Sequence, residues 1–203
     1  MPIPELITFF RPFAEDAERL IAEADSLEDK TALRMLYDIF RFPQYADKIQ
    51  EVPRSTEQIQ MFFLVTLCEA LYNLYEPENT LGSKKRVNAF FEAFVGDDAD
   101  FFKYKFQRSI MDDECLGDKG CHLTPDELVT VLYDLRCSFT HEGVNTEMQF
   151  SDGEYDTMCT ITHQDGKETT YELKATYEDF RSAFIRMGLR CVRAQLATQG
   201  ANL

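Results

Sequence analysis

Arg136 and His141 form the only Arg–His pair in the chain with four residues between them. An imidazole accepts and donates protons near neutral pH, and a guanidinium offers planar, bidentate donors to a phosphate. Together they suit metal-free attack of an RNA 2′-OH on its own phosphodiester, with Arg136 stabilising the charge that builds up. The same two residues also read as ordinary cations at a helix C-terminus, where the backbone dipole favours them. Five residues of helix turn through about 500°, which leaves the two side chains about 140° apart. A single chain therefore makes a poor site of them, and a cleft shared with a second copy makes a better one.

The element that must position Arg136 is a helix opened by Thr124-Pro125-Asp126-Glu127, a capping box with Pro at the first helical position. Leu128, Val131, Leu132 and Leu135 recur at helical spacing, which predicts a buried face, and Gly143 is a plausible stop. Before it, Ser55 and Gln58 read as another capping box. The helix that follows carries Ile59, Phe62, Phe63, Leu67, Ala70, Leu71 and Leu74 inward, with Glu69 at the edge of that stripe. It is expected to be the central core helix. Residues 84–95 read as a helix with Val87, Phe90, Phe91 and Phe94 on one side.

Lys84, Lys85 and Arg86 stand in the first turn of that helix, against the dipole. Lys103, Lys105 and Arg108 lie among Phe and Tyr in the most basic segment of an acidic chain. These six cations are candidate RNA or phosphate contacts; a solvated charged face is the plainer account of them. Toward the N-terminus, Pro12 is expected to open a helix, and a second helix is expected from about 28 to 42, stopped by Pro43. Residues 43–54 then read as a loop. After His141 the apolar period changes to two, and Gln164-Asp165-Gly166-Lys167 is a hairpin signal. A small antiparallel meander over about 145–174 is expected, then a last helix from Thr176 to about Thr198 with a frayed tail. The fold class is therefore mainly α with a small sheet before the last helix. Residues 1–54 read as a helical region packed on a main body of 55–203, the two forming one unit.

The chain has 203 residues and a formal net charge of −15. Such a balance opposes nonspecific attachment to nucleic acid or anionic membrane and favours a basic protein partner, while leaving room for a local basic cleft. No run approaches the roughly 20 apolar residues that cross a bilayer. The first residues lack a basic, apolar and small-residue order, so no signal peptide is expected. Four of the six cysteines (68, 137, 159, 191) fall in apolar patterns, as reduced thiols of a cytoplasmic protein do. Cys115, Cys121 and His122 lack the spacing and the fourth ligand of a zinc site, and neither metal nor cofactor is expected.

Leu132-Tyr133-Asp134-Leu135-Arg136-Cys137-Ser138-Phe139-Thr140-His141-Glu142-Gly143 resembles the HEPN superfamily, in the LRCGLLHE form found in bacterial members. The resemblance spans roughly residues 55–195 and includes the helix carrying Glu69, the GSKKRVNAFFEAF run and a strand hairpin before the last helix. It implies a helical bundle acting as a homodimer, with two R-x4-H motifs facing each other across one cleft. It implies a metal-independent endoribonuclease, of toxin or phage-defence type. Arg136 would hold the phosphate, His141 would be the acid–base residue, and Glu69 would support them. Active HEPN ribonucleases usually carry Asn, Asp or His directly after the arginine, whereas this chain has Cys137, a weak hydrogen-bond donor. The alternative is a non-catalytic module of the same kind that binds a nucleotide or a protein.

Overall fold

A computed structural model describes residues 3–49, 56–109, 121–138, 145–162 and 166–200. Within them lie eight α-helices and a four-stranded antiparallel sheet. In chain order these are α1 (Ile3–Phe10), α2 (Ala17–Ser26), α3 (Thr31–Lys48), α4 (Thr56–Tyr75), α5 (Ser83–Phe94), α6 (Ala99–Lys105), β1 (Phe106–Arg108), α7 (Pro125–Ser138), β2 (Asn145–Met148), β3 (Thr157–Thr162), β4 (Glu168–Leu173) and α8 (Tyr177–Gly200). The fold is mainly helical with a small sheet, and α8 follows that sheet. No helix among the described residues is long and apolar enough to cross a membrane.

The central helix is α4, which packs against α3, α5, α7 and α8. Its fully buried side chains are Met61, Leu64, Val65, Leu67, Cys68 and Leu71. Ile59, Phe62, Phe63, Ala70 and Leu74 of the expected stripe are only half-buried. A helix apolar on nearly every side has no single stripe to read, so its neighbours decide which residues go deepest. The second long helix, α8, crosses α3 and α4 at Gly188. A Cβ there would stand 2.8 Å from Ile39 Cγ1 and 3.2 Å from Leu71 Cδ1, so the close crossing requires glycine. Arginines of α8 then fasten other elements to it. Arg181 Nε donates to Asp47 at 3.1 Å, Arg186 Nε donates to Asp98 at 3.0 Å, and Arg190 Nε donates to the Phe94 carbonyl at the end of α5 at 2.6 Å.

Several expectations fail for identifiable reasons. Pro43 does not stop α3, which runs through it to Lys48. A proline inside a helix removes one backbone bond and costs about 3 kcal/mol. Here the turns beyond it are held from outside. Pro43 and Ala46 are buried, the Tyr45 ring meets Phe63 at 5.8 Å, and Tyr177 Oη donates to Asp47 at 2.7 Å. Residues 43–48 are thus helix rather than loop, and Ser55 of the expected capping box lies outside the described residues. Pro12 sits in a turn, α2 begins at Ala17, and the apolar segment before Pro12 forms α1. Residues 198–200, expected to fray, are helical, and Gln199 Nε2 donates to Asp29 at 2.7 Å.

The expected meander over 145–174 is β2, β3 and β4, and the sheet gains a fourth strand, β1, from before α7. Its order is β1-β4-β3-β2, with Phe106 opposite Leu173 and Cys159 opposite Tyr171. Only three residues long, β1 is too brief to show a period of two. The buried face carries Phe106, Cys159, Ile161, Tyr171 and Leu173. A sheet this small is stable only when packed on something, and a relay of rings supplies the support. Phe106 stacks on Tyr171 at 5.6 Å, and Phe180 of α8 meets Phe106, Phe102 and Phe150 within 6.4 Å. Gly166, of the expected hairpin turn, has φ of +80°, which glycine adopts without strain. Gln164 and Asp165 of that turn lie outside the described residues.

Candidate functional site

The helix that carries Arg136 starts as its capping box requires. Glu127 Oε2 accepts from the Thr124 backbone N–H at 2.8 Å and from its hydroxyl at 2.9 Å, and Thr124 Oγ1 accepts from the Glu127 N–H at 3.3 Å. Those two N–H groups are among the donors a helix start leaves without partners. The Thr124 N–H, together with Arg108, holds the Glu127 carboxyl below the usual glutamate range. Leu128, Val131, Leu132 and Leu135 are buried as the spacing predicts, with Val129 beside them. Packing that face against α4 and α5 brings Arg136, one residue on from Leu135, to the surface of α4.

There Arg136 meets Glu69. Arg136 Nη2 donates to Glu69 Oε2 at 3.4 Å, while Glu69 Oε1 accepts from Arg86 Nη1 at 3.3 Å. One carboxylate thus joins two guanidiniums from α5 and α7, leaving a net charge of +1 on a chain of −15. The side chains of Glu69, Arg136 and Arg86 are 13%, 18% and 26% exposed. Rings complete the walls. The Arg136 guanidinium carbon lies 5.7 Å from the Phe62 centroid and 5.6 Å from that of Tyr133, within cation–π range. Arg86 is steadied in turn by Asn79, whose Oδ1 accepts from Arg86 Nε at 3.2 Å and from the Leu81 N–H at 3.3 Å.

The donors of Arg136 are unevenly used. Nη2 serves Glu69, and Nη1 makes a long contact of 3.9 Å to Cys137 Sγ. Nε is buried and finds no acceptor among the described residues. A buried, unsatisfied donor is uncommon in native proteins, and an anion oxygen is the strongest partner it could take. Burial raises the Tyr133 hydroxyl above its ordinary range, as does the neighbouring Cys137 thiol; Arg136 and the hydroxyl of Ser83 act the other way. Tyr133 therefore stays a neutral hydroxyl at physiological pH.

Of the residues read as a site in the sequence, the fold brings Glu69, Arg136 and Arg86 together. Lys84 and Lys85 are exposed beside Arg86 at the start of α5. The other basic group is elsewhere. Its helix, α6, meets α5 through the Phe91–Phe102 contact in the last turn of α5, about 7.5 Å along the axis from Arg86. There Lys103 and Lys105 are exposed, whereas Arg108 Nη2 is bound to Glu127 at 2.8 Å. His141 lies outside the described residues. The sequence reading missed the rings under Arg136 and the shared carboxylate. Tyr133 is three residues from Arg136 and Phe62 seven from Glu69, so helical spacing alone places each pair on one face. The Arg86–Asn79 bond left no comparable signal. No family model, curated protein or solved structure matches this chain.

Proposed function

We propose that this chain is a HEPN-type protein that cleaves RNA without a metal, using Arg136 and His141 from two copies facing each other across a shared cleft. The observation that supports this reading is the meeting of Glu69 with Arg136, 67 residues apart in sequence, in a cationic cluster with Arg86. The resemblance assigns Glu69 a supporting role on the neighbouring helix, and a carboxylate that orients a guanidinium performs it. The buried Nε and the second N–H of Nη2 form a parallel fork that suits two oxygens of a phosphate. His141 would take the 2′-OH proton and return one to the leaving oxygen. Lys84 and Lys85 extend the positive charge along the path of the strand.

The burial of Arg136 favours a second reading, a non-catalytic module of the same type. An arginine less than one-fifth exposed, bonded to a carboxylate and covered by two rings, is also what a structural ion pair looks like. On that reading the cluster fixes α7 to α4 and α5 and binds a phosphate or a partner without cutting.

RNA incubated with purified protein in EDTA separates the two. The first reading expects cleavage leaving 2′,3′-cyclic phosphate ends, lost in His141→Ala at unchanged melting temperature, and a dimer by light scattering. Absence of cleavage, or cleavage that survives in His141→Ala, rejects it. The second expects Arg136→Ala to lower stability by about 1–3 kcal/mol, the cost of a lost partly buried polar contact, with no nuclease to lose.

A further inference from the structure

At the other end of the α5–α7 pair, two turns of α7 away from Arg136, lies a cavity of about 370 Å³ between α5, α6 and the start of α7. Its volume is within the range of small-molecule sites. The floor is made by Phe91, Phe102, Leu128 and Val129, all buried. Around the mouth stand three exposed charged residues, Glu92, Asp100 and Lys103.

Those charges are largely uncommitted. Asp100 and Lys103 are one turn apart on α6, yet neither is in an ion pair among the described residues. Lys103 Nζ lies 5.3 Å from the Tyr104 centroid, which leaves its ammonium donors free for an anion. Glu92 accepts one bond, from Asn88 Nδ2 at 2.8 Å, on a single oxygen. That bond steadies the carboxylate and keeps its second oxygen open. An apolar floor thus meets a mouth with carboxylates on α5 and α6 and an ammonium on α6.

We infer that this cavity binds a free α-amino acid with a large apolar side chain. The side chain fills the floor, the ammonium meets Glu92 and Asp100, and the carboxylate meets Lys103. No simpler apolar molecule uses both signs of charge. A pure cation leaves Lys103 unanswered, and a pure anion faces two carboxylates. The site is separate from the Arg136 cluster and stands whether or not the chain cleaves RNA.

The test compares three probes of one shape on the full chain: L-phenylalanine, phenethylamine and 3-phenylpropionate, by calorimetric titration and thermal shift. L-Phenylalanine is expected to bind several-fold more tightly than either half-charged analogue, which is the scale that one further ion pair at exposed groups adds. In Lys103→Glu, an exposed position that leaves the fold intact, its affinity should fall to that of phenethylamine or below. Phenethylamine binding should not weaken there. In the double variant Glu92→Gln, Asp100→Asn, the preference over 3-phenylpropionate should disappear. Equal binding of the three probes, no binding at millimolar concentration, or an unchanged affinity in Lys103→Glu overturns the proposal.

Discussion

At the scale of single residues, the cluster around Glu69 turns on a count of charges. Two guanidiniums share one carboxylate in a setting at most about one-quarter exposed. Remove that carboxylate's charge and two cations face each other across a polar amide. Glu69→Gln is therefore expected to lower stability by about 1–3 kcal/mol. Sulfate should restore much of the loss, and sodium chloride at equal ionic strength should restore less, because a divalent oxyanion replaces the carboxylate while screening alone does not. Parallel urea titrations in the two salts measure this. If the salts act alike on Glu69→Gln, the cluster has no affinity for oxyanions and the phosphate-binding role of Arg136 fails with it. Only part of the cluster was readable beforehand. Glu69 announced itself as a charge at the edge of an apolar stripe, and Arg136 as a cation after a helical pattern. Nothing local tied Arg86 to either, because that contact depends on how α5 lies against α4.

At the scale of elements, legibility followed self-sufficiency. Helices with one clear apolar side, α5 and α7, the latter with its own capping box, stand where the pattern put them. Elements decided by neighbours do not. Pro43 is a valid stop signal overruled by Asp47, Tyr177 and the burial of Ala46, and β1 is a strand only because β4 offers it an edge. A junction between elements yields a pH prediction. Glu127 caps α7 and also binds Arg108 of β1. Its carboxyl is held below its ordinary value, first by the Thr124 N–H. For a carboxyl depressed by folding, the stabilisation is complete above the unfolded value, about 4.3, and is lost as pH falls through the lower folded value. Glu127→Gln should therefore lower the melting temperature at pH 7, and the gap from the parent protein should narrow steadily below about pH 4.3. A gap constant from pH 7 to pH 3 would show that Glu127 acts by shape alone. Thermal melts across that range decide it.

For the whole molecule, charge and core pull against each other. One hydrophobic cluster runs from Leu6 in α1 to Leu196 in α8 and takes in the buried face of the sheet. Around it the chain carries 36 acidic and 21 basic residues, and a net charge far from zero works against compactness by self-repulsion. The melting temperature is thus expected to rise from low ionic strength to about 0.15 M sodium chloride, where the screening length falls to about 8 Å. A flat or falling curve would mean that the ion pairs of α8 outweigh the repulsion. The fold class was legible because it rests on the sum of many periodic segments. The cavity beside Lys103 was not, since it belongs to no segment and exists only where three helices fail to close.

The ordering of the sheet has a consequence for life at high concentration. The six-residue strands β3 and β4 lie inside, while the edges are β1, of three residues, and β2, of four. The outer side of β1 is already occupied: Arg108 N–H donates to the Cys121 carbonyl at 2.8 Å, and Gln107 pairs with His122. The outermost strand at the other end, β2, lies against α4 and α7. Strand edges are where one chain recruits another into fibrils, and short or covered edges deny that template. A protein built this way keeps its most β-prone segments away from its neighbours, so crowding should drive it toward precipitation or cross-β growth only after the helices have let the sheet go.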